Sequence, residues 1–367
     1  MNGQLPNFWR RRSWLSYLLW PLALIFSLIS RLRRCYLTAR TWRSPVPLVV
    51  VGNLTVGGNG KTPLVIGLTR ALLADGVQVG LISRGYGRKS TAPLLLADGR
   101  IYGAMNGKEG SAADFVGDDQ DAARRIGGSD FVGDDRDGGA NKVGDDRNGG
   151  SDKVGDEPLL IHQQTGAPIA VAADRRAAVQ LLLQHRPHLQ LLISDDGLQH
   201  YGLARDLEIV AVAPDLGWGN GFLLPAGPLR ELPSRGADYF IYTGAGGSNN
   251  FLTCGRRIAL YSLASGAELT WAQLRPPHFA LTAIARPERF FRELEAHLPL
   301  QGRRALADHS PISFRQCAFA RTGTLLVSSK DAVKMAHWPL ARRQNIVVVD
   351  YALTPPQQVI NRIKGLL

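Results

Sequence analysis

Apolar and polar positions along most of the chain alternate in a way that predicts strands followed by helices. The segment PLVVV (47–51) is a continuous apolar, β-branched run, which is typical of a strand buried on both faces of a parallel sheet. A glycine-rich turn follows it, and then a helix-like stretch from about Thr62 to Leu73. Further apolar runs of the same kind lie at 77–83, 189–194 and 206–213. Strands that alternate with helices predict an α/β fold with a doubly wound, mainly parallel sheet.

A second series of strand-like runs begins after about Pro233. These runs lie at 237–244, 256–263, 278–285, 324–329 and 345–351. Pro287 is expected to open a helix that ends near His297, because proline is favoured in the first turn of a helix. We therefore expect two domains, a larger one over 44–233 and a smaller α/β domain over 234–367.

Residues 1–43 differ from both of these domains. They hold eight arginines and no acidic residue, and the arginines flank an uncharged apolar stretch of 17 residues, Trp14 to Ser30. Trp14, Tyr17 and Trp20 lie at one end of this stretch, as aromatic residues do at a membrane interface. We predict a membrane-associated helix that lies on the bilayer surface or dips into it. The alternatives are a core helix of a soluble domain and a true membrane span.

The segment 114–157 interrupts the alternation of strands and helices. VGDD or VGDE motifs begin at Val116, Val132, Val143 and Val154. Almost no apolar residue lies between the last three copies, so the segment cannot bury enough surface to offset the entropy lost on ordering. This composition predicts a solvated loop, expanded in tandem, over about 114–153. A calcium loop is the alternative, although the ligand series and its closing glutamate are missing.

Charge and cysteine content narrow the function classes. The 367 residues include 43 Lys and Arg against 31 Asp and Glu, and the net charge of +12 favours a nucleic acid, an anionic membrane or a phosphorylated substrate as partner. Because the basic residues of the N-terminus are interleaved with an apolar run, we expect no nucleic-acid partner. The cysteines lie too far apart in sequence for a disulfide framework or a paired-cysteine zinc motif, at Cys35, Cys254 and Cys317.

The most specific motif is a glycine-rich loop directly after the first strand. Its backbone N–H groups can surround a triphosphate, Lys61 can reach the β- and γ-phosphates, and the Thr62 hydroxyl can hold Mg²⁺. A strict motif of this kind has glycine where this chain has Thr55, but the order of strand, loop and helix is retained. The expected nucleotide-binding residues are Thr55, Val56, Gly57, Gly58, Asn59, Gly60, Lys61 and Thr62. A plain glycine-rich turn is the alternative.

Two adjacent carboxylates, Asp195 and Asp196, follow the apolar run at 189–194. Ligands of doubly wound sheets bind at the carboxyl ends of the strands, where these two side chains are expected. Together with Thr62 they predict a Mg²⁺ site, because this ion prefers oxygen ligands. A simple turn is the alternative, since Asp-Gly is favourable turn chemistry.

Six motifs in a fixed order carry a family resemblance. They are VVVGNLTVGGNGKTP (49–63), SRGYGR (83–88), VGDEPLL (154–160), DDGLQH (195–200), GPLRE (227–231) and DHSPI (308–312). With them the chain resembles the tetraacyldisaccharide 4'-kinase family, the lipid A 4'-kinases of Gram-negative bacteria. The resemblance runs from about residue 10 to the C-terminus, apart from the repeat segment.

The resemblance implies a P-loop kinase at the cytoplasmic face of the bacterial inner membrane. Such an enzyme transfers the γ-phosphate of ATP, with Mg²⁺, to the 4'-hydroxyl of a tetraacylated glucosamine disaccharide 1-phosphate in lipid A biosynthesis. The implied partners are this acylated lipid and the anionic membrane surface, with no obligate protein partner. The implied active site lies between a larger P-loop domain and a smaller α/β domain.

The resemblance also implies roles for single residues. Asp156, in the last VGD copy, is implied to be the catalytic base, with His309 as its partner from the smaller domain. Arg230 and Glu231 are implied to lie near the phosphates with Lys61, where an arginine can stabilise developing charge. Contacts with substrate or nucleotide are expected for Arg84, Tyr86, Arg175, Arg176, Gln199 and His200, and the two adjacent arginines of this set are candidates for the lipid 1-phosphate.

Two features depart from the family pattern. The VGD motif occurs four times where the family has it once, and only the copy with Asp156 continues as EPLL, so it is given the catalytic role. The other copies, with Asp118, Asp134 and Asp145, are expected to have none. In addition, Ser328 and Ser329 precede KDAVK (330–334) where the family usually shows Thr-Glu, so any role of that acid is lost or moved.

Two other functions remain open on sequence grounds. One is a P-loop kinase that acts on another sugar or a soluble small molecule, although a soluble substrate requires no apolar N-terminus. The other is a membrane-bound NTPase scaffold that switches a protein partner, which would hydrolyse nucleotide without any dependence on lipid. The segment SSKD (328–331) is the nearest approach to a guanine-reading motif, and its first serine lacks the amide that reads guanine.

Overall fold

The computed structural model of the protein describes residues 6–58, 60–85, 88, 92–103, 151–244 and 251–367. The helices are α1 (Trp14–Leu18), α2 (Trp20–Thr38), α3 (Lys61–Ala74), α4 (Ser151–Val154), α5 (Asp156–Thr165), α6 (Arg175–His185), α7 (Pro287–Glu295), α8 (Phe314–Cys317), α9 (Ser329–Met335), α10 (Leu340–Arg343) and α11 (Gln357–Lys364). The strands are β1 (Leu48–Gly52), β2 (Val79–Ser83), β3 (Leu94–Ala97), β4 (Arg100–Gly103), β5 (Ile169–Val171), β6 (Leu191–Asp195), β7 (Leu207–Val212), β8 (Tyr239–Tyr242), β9 (Leu252–Thr253), β10 (Gly255–Ser262), β11 (Glu268–Leu269), β12 (His278–Thr282), β13 (Leu300–Ala305), β14 (Thr324–Ser328) and β15 (Ile346–Thr354).

The first lobe is built on a sheet with the strand order β4-β3-β5-β2-β6-β1-β7-β8-β9. All pairings along the order from β5 to β9 are parallel. At the other edge, β3 is antiparallel to both of its neighbours, β5 and β4. Every residue of β1, β2 and β6 is buried, because helices cover both faces of the sheet. The prediction of a doubly wound, mainly parallel sheet is confirmed.

The second lobe is built on a six-stranded sheet with the order β11-β10-β15-β14-β12-β13. Strands β13, β12, β14 and β15 are parallel neighbours. Strand β10 is antiparallel to both of its neighbours, β15 and β11. The prediction of a second, smaller α/β unit is confirmed. Strand β8 lies in the first sheet, since it pairs in parallel with β7 over 209–212, so the change of sheet follows β9 and not residue 233.

The end of β15 and helix α11 join the two lobes by packing against α3. Leu353, Val359 and Ile363 share one hydrophobic core with buried residues of the first lobe. A Cβ atom at Gly67 of α3 would overlap the carbonyl oxygen of Leu353, so helix and strand approach too closely for any side chain at this position. The contact fixes the second sheet relative to the helix that follows the glycine-rich loop.

Helices α1 and α2 lie on the surface of the first lobe, and their apolar residues face outward. Ala23 is buried in α2, and Ser16 is buried in α1. The exposed large apolar residues of this pair are Trp14, Tyr17, Leu18, Trp20, Leu22, Leu24, Ile25, Leu28, Ile29, Leu32 and Tyr36. The alternative of a core helix is therefore wrong. Among the described residues, no helix has both the length and the apolar character needed to cross a membrane.

The predicted loop of the VGD repeats falls largely on residues 104–150, which lie outside the described residues. The structure begins again with α4, which covers residues 151–154. The final residues of the predicted loop, 151–153, are therefore helical. Val154, the first residue of the last VGD copy, is fully buried in the core of the first lobe.

We predict that Gly67→Ala destabilises the protein by about 1–3 kcal/mol, because the added methyl group meets the backbone of β15. Urea unfolding followed by circular dichroism measures this free energy. Gly202→Ala is the matched control, since a Cβ atom at Gly202 has open space around it, and its effect is expected within about 0.5 kcal/mol. Equal stability of the two variants would contradict this account of how the lobes are joined.

Candidate active site

The glycine-rich loop lies between β1 and α3, at the carboxyl edge of the first sheet. Gly60 caps α3 with a φ of 74°, and a Cβ atom there would lie 2.7 Å from the Thr243 hydroxyl oxygen, so the position requires glycine. The segment GPLRE (227–231) pairs with the loop backbone: Val56 N–H donates to Pro228 (3.0 Å) and Arg230 N–H donates to Leu54 (2.7 Å). Asn59 lies outside the described residues.

Lys61 and Asp196 form the central ion pair of the site, with 2.6 Å between Nζ and Oδ1. Arg230 approaches the same carboxylate oxygen to 3.6 Å through Nη1. Burial alone would raise the pKa of Asp196, but the positive charges of Lys61 and Arg230 outweigh it and lower that pKa. The Lys61 ammonium group is therefore neutralised by a carboxylate that directly follows β6.

Asp195 ends β6 directly beside Val51 of β1, which places the carboxylate at the sheet edge next to the loop. The side chain is buried, and its Oδ1 atom has no hydrogen-bond partner among the described residues. Burial, together with the negative charges of Glu157 and Asp196, raises the pKa of Asp195 to about 7. A buried carboxylate oxygen without a donor is suited to a cation.

The oxygen atoms of Thr62, Asp195 and Asp196 fit the preference of Mg²⁺. This ion keeps several waters and uses one or two carboxylates together with phosphate oxygens, so it needs no cage of protein ligands. The described residues contain no cluster of three or more His, Cys, Asp or Glu side chains arranged for a metal. The unpartnered Oδ1 of Asp195 is the structural feature that supports this fit.

Gln199 connects the loop with Arg230. Its Nε2 donates to the Asn53 carbonyl (3.4 Å), and its Oε1 accepts from Arg230 Nη1 (3.4 Å). Glu231 points elsewhere: it accepts a short hydrogen bond from the Tyr201 hydroxyl and pairs with Arg235 Nε at 2.9 Å. Glu231 therefore supports the segment that carries Arg230 and does not contact Lys61 or Asp196.

The remaining candidates for substrate contact are dispersed. Arg175 is buried, donates to the Ala172 carbonyl at 2.9 Å, and has its pKa lowered by burial to about 10. Arg176 and Arg84 are exposed, and the guanidinium of Arg176 lies 5.4 Å from the ring centre of Trp42. Tyr86 lies outside the described residues.

His200 is half-buried beside the charged groups of this region. Burial lowers the pKa of His200 to about 4, and the nearby Arg175 acts in the same direction. The imidazole is therefore neutral near pH 7. A neutral ring can accept a hydrogen bond as well as donate one, which suits a polar ligand better than an anion.

The structure brings Asp156 and His309 together from different lobes. Asp156 is the first residue of α5, and its Oδ2 lies 3.5 Å from His309 Nδ1. His309 follows β13 in a backbone conformation with a φ of 61°, which non-glycine residues rarely adopt. Burial acts to raise the pKa of Asp156, but His309, Lys334 and Lys330 outweigh it and hold this pKa below its ordinary value. The carboxylate is therefore ionised near neutral pH.

Two lysines of α9, which were not among the predicted site residues, complete this cluster. Lys330 Nζ lies 3.1 Å from both His309 Nε2 and Glu157 Oε1. Lys334 Nζ lies 3.5 Å from Asp156 Oδ2. Their spacing of four residues, which places both side chains on one face of a helix, was the signal available in the KDAVK segment.

Arg286 is a second contact across the lobes that the sequence analysis did not predict. It lies just before α7, and its side chain forms an ion pair with Asp215 of the first lobe. Its Nη2 atom also lies 3.5 Å from the Val56 carbonyl, and a Cβ atom at Gly57 would come within 3.2 Å of the guanidinium. The second lobe therefore packs directly on the glycine-rich loop.

Known proteins that share one name are similar to this chain over most of its length. A family model described as tetraacyldisaccharide-1-P 4'-kinase matches residues 15–119 and 133–367. The chain is 38% identical to the tetraacyldisaccharide 4'-kinase of Dichelobacter nodosus over 376 aligned positions, with 99% of this chain and 97% of the relative covered. It is also 38% identical to the enzyme of that name from Pasteurella multocida, with 89% and 88% covered.

The crystal structure of LpxK from Aquifex aeolicus in complex with ATP superposes with a TM-score of 0.67. The match covers 96% of this chain and 99% of that one at 22% sequence identity. At this identity the likeness shows a shared fold. That fold includes both sheets described here.

We predict that Lys61→Met weakens ATP binding about 10- to 100-fold, because a hydrogen bond between charged groups contributes about 1.5–3 kcal/mol. Isothermal titration calorimetry with ATP measures the dissociation constant. Lys364→Met is the matched control. Lys364, at the end of α11, forms an exposed ion pair with Asp75, which follows the far end of α3 from the loop. Unchanged affinity in the Lys61 variant would remove this lysine from the nucleotide site.

Proposed function

Because the chain belongs to the tetraacyldisaccharide-1-P 4'-kinase family, we propose that it transfers the γ-phosphoryl group of ATP to the 4'-hydroxyl of a tetraacylated glucosamine disaccharide 1-phosphate. This reaction is a step of lipid A biosynthesis. One observation carries the proposal: Asp156 and His309 meet at 3.5 Å between the lobes, in the same cluster of charges as the glycine-rich loop. A carboxylate oriented by a histidine can accept the proton of an alcohol, a step that transfer to a hydroxyl group includes and nucleotide binding does not.

ATP is proposed to bind with its phosphates on the N-terminus of α3. The backbone N–H groups of the loop and the positive end of the helix dipole favour a polyanion there. Lys61 would exchange Asp196 for the β- and γ-phosphates, and Arg230 would stabilise the charge that develops on the transferred group. Mg²⁺, held by Thr62, Asp195 and Asp196, would neutralise phosphate charge when bound.

Asp156 is proposed to act as the general base. Its carboxylate would accept the proton of the sugar 4'-hydroxyl while the sugar oxygen forms a bond to the γ-phosphorus and the bond to the ADP oxygen breaks. His309 would hold the carboxylate in the required orientation. Because the pair comes from both lobes, docking of the second lobe completes the site.

The lipid 1-phosphate is proposed to lie near the exposed arginines of the first lobe. Arg84 and Arg176 are accessible for this contact, whereas the burial of Arg175 directs its charge toward Asp195 and Asp196. Gln199 and His200 follow the Asp pair and are proposed to line the pocket for the sugar or nucleotide. Both are polar, and His200 is neutral, which suits the hydroxyl groups of a sugar.

The enzyme is proposed to sit on the cytoplasmic face of the inner membrane through α1 and α2. Eleven exposed large apolar side chains on this pair form a continuous candidate surface for the acyl region of a bilayer. The arginines around them favour the anionic headgroups of that leaflet. An acylated substrate would reside in the same layer, so a protein bound to this layer through α1 and α2 would meet its substrate there.

We predict that Asp156→Asn lowers label transfer from γ-labelled ATP to acylated disaccharide 1-phosphate in detergent micelles by about 10²–10⁴-fold. The variant keeps the size of the side chain and loses the proton acceptor. Asp134→Asn and Asp145→Asn are matched controls in the same repeated motif, and both are expected to transfer label at the rate of the parent protein. Equal losses in all three variants would contradict the choice of Asp156, and no label in the lipid with the parent protein would refute the proposed function.

We predict that a double variant, Leu28→Glu with Ile29→Glu, no longer floats with anionic phospholipid vesicles in a density gradient. Both side chains are more than half exposed on α2, and charge on this face opposes insertion into acyl chains. Leu340→Glu is the matched control at an equally exposed leucine of the second lobe. Flotation of the double variant at the level of the control would argue against this face as the membrane seat.

A further inference from the structure

We infer that Lys330 and Lys334 of α9 are positioning residues of the transfer reaction, with Lys334 holding the Asp156 carboxylate and Lys330 fixing the orientation of the His309 ring. The inference deepens the proposed function and rests on it. Among the described residues, neither lysine has a hydrogen bond or ion pair with the glycine-rich loop or the Asp pair, so both act through the Asp156 and His309 side chains. The two residues are called the lysine pair below.

Lys334 presents its charge from a fixed place. The side chain is 4% exposed, and besides Asp156 its Nζ contacts Asp331 Oδ1 at 3.4 Å and the Ser310 carbonyl at 3.2 Å. These contacts, together with burial of the stem, leave the ammonium little freedom to move. Asp156 therefore faces a cation whose position is set by the second lobe.

Asp331 anchors Lys334 in turn. Its Oδ2 accepts from the Thr282 hydroxyl (2.7 Å), the Ala283 N–H (3.1 Å) and the Ser328 hydroxyl (2.7 Å), and its side chain is completely buried. A buried carboxylate that accepts three hydrogen bonds has little freedom to move. Ser328, the first of the two serines that stand where the family usually shows Thr-Glu, thus caps α9 and donates a hydrogen bond to the Asp331 carboxylate.

Lys330 determines which nitrogen of His309 carries the proton. An ammonium group has only donors, so the 3.1 Å contact requires Nε2 of the ring to be the acceptor. In the neutral ring the proton then lies on Nδ1, which faces Asp156 Oδ2. Burial opposes the charge of Lys330, but Glu157 and Asp308 outweigh it and raise the pKa of this lysine, so it is a cation near neutral pH.

The electrostatic surroundings of Asp156 come from three elements. The charged or titratable groups that face it are Lys334 and Lys330 on α9, His309 and Asp308 on the loop after β13, and Glu157 on α5. The cations outweigh the anions at this carboxylate, because its pKa is held below the ordinary value despite burial. Loss of one lysine therefore shifts the balance toward the protonated, inactive acid.

This arrangement suits phosphoryl transfer. The transition state needs oriented groups and stabilised charge more than a strong base, so an ionised carboxylate of low pKa is adequate if it is well placed. Because the lysine pair belongs to the second lobe, Asp156 experiences this stabilisation only where the lobes are docked. The base is thereby prepared by the same contact that delivers His309.

The first test compares the pH dependence of kcat/KM for the parent protein and Lys334→Met. Removal of the cation raises the pKa of Asp156, so the acid limb of the profile is expected to move to higher pH by about one unit or more, with recovery of rate at alkaline pH. Lys334→Arg keeps the charge and is expected to retain the parental acid limb. Lys364→Met is the matched control at an exposed ion pair, with no expected shift.

A loss of rate that is uniform over the whole pH range, with the acid limb unmoved, would assign Lys334 a purely structural role and overturn the inference. Thermal melting of each variant identifies a failure to fold. If Lys334→Met does not fold, Lys330→Met carries the test, because the Lys330 side chain is more exposed than that of Lys334.

The second test requires no catalysis and is made on the ligand-free protein. In ¹⁵N-histidine-labelled protein the two ring nitrogens of each tautomer have distinct chemical shifts, and the signals absent from His309→Gln belong to His309. The parent protein is expected to show Nδ1 protonated, and Lys330→Met is expected to show a mixture of the two neutral tautomers. An unchanged His309 pattern in Lys330→Met would overturn the role of this lysine. A parent protein without label transfer but with the expected spectra would refute the proposed function alone.

Discussion

The packing of β15 against α3 is the contact on which the geometry of the site depends. The same helix begins at Lys61 and receives the Leu353 backbone at Gly67, less than two turns later. Strand β15 pairs with β14, and β14 leads directly into α9, which carries the lysine pair. The position of Lys330 and Lys334 relative to Lys61 is thus set through one helix and two adjacent strands. A rigid connection of this kind allows two lobes to share a site whose parts must meet within a few ångströms.

Charge pairing explains how so many ionised groups share a small buried region. Lys61 with Asp196, Lys330 with Glu157 and Lys334 with Asp156 each join two different elements. An unpaired buried charge is costly, so a carboxylate partner stabilises a lysine that is largely removed from water. Asp196 fills that role, whereas Asp195 has its pKa raised to about 7 because no cation balances its burial as fully. The two neighbouring carboxylates therefore have different electrostatic states that follow from their partners.

Much of the first lobe could be predicted from sequence because its signals are local. The continuous apolar run of β1, the glycine-rich loop and the carboxylates after β6 each lie within a few residues, and a parallel sheet brings them to one edge. Strand β8 was assigned to the wrong sheet, since an apolar run reveals burial and not which strand is its neighbour. The burial of Arg175 was also hidden, because its compensating carboxylates lie on β6 and just after it.

The contacts between the lobes could not be predicted from short stretches of sequence, because the residues that form them lie far apart along the chain. The pairing of Asp156 with His309 was expected only through the family resemblance, and the residues alone gave no sign of it. Lys330 and Lys334 have a helical spacing that exposed lysines also commonly have. Only the structure therefore reveals that they are buried against Asp156 and His309. Arg286 gave even less indication, since its partner Asp215 lies 71 residues away in the chain. Non-local electrostatic contacts depend on the docking of whole sheets, which no short window of sequence records.

The surface helix α2 is linked to the phosphate site by a short chain of hydrogen bonds. Arg33 Nη1 donates to the Gln199 carbonyl at 3.3 Å, and the Gln199 side chain contacts both the Asn53 carbonyl and Arg230. Gln199 is therefore the one residue that stands between Arg33 of α2 and Arg230 in this chain of contacts. If the proposed membrane seat on α2 holds, an acylated substrate reaches the charged site from the edge of the bilayer without its acyl chains crossing water.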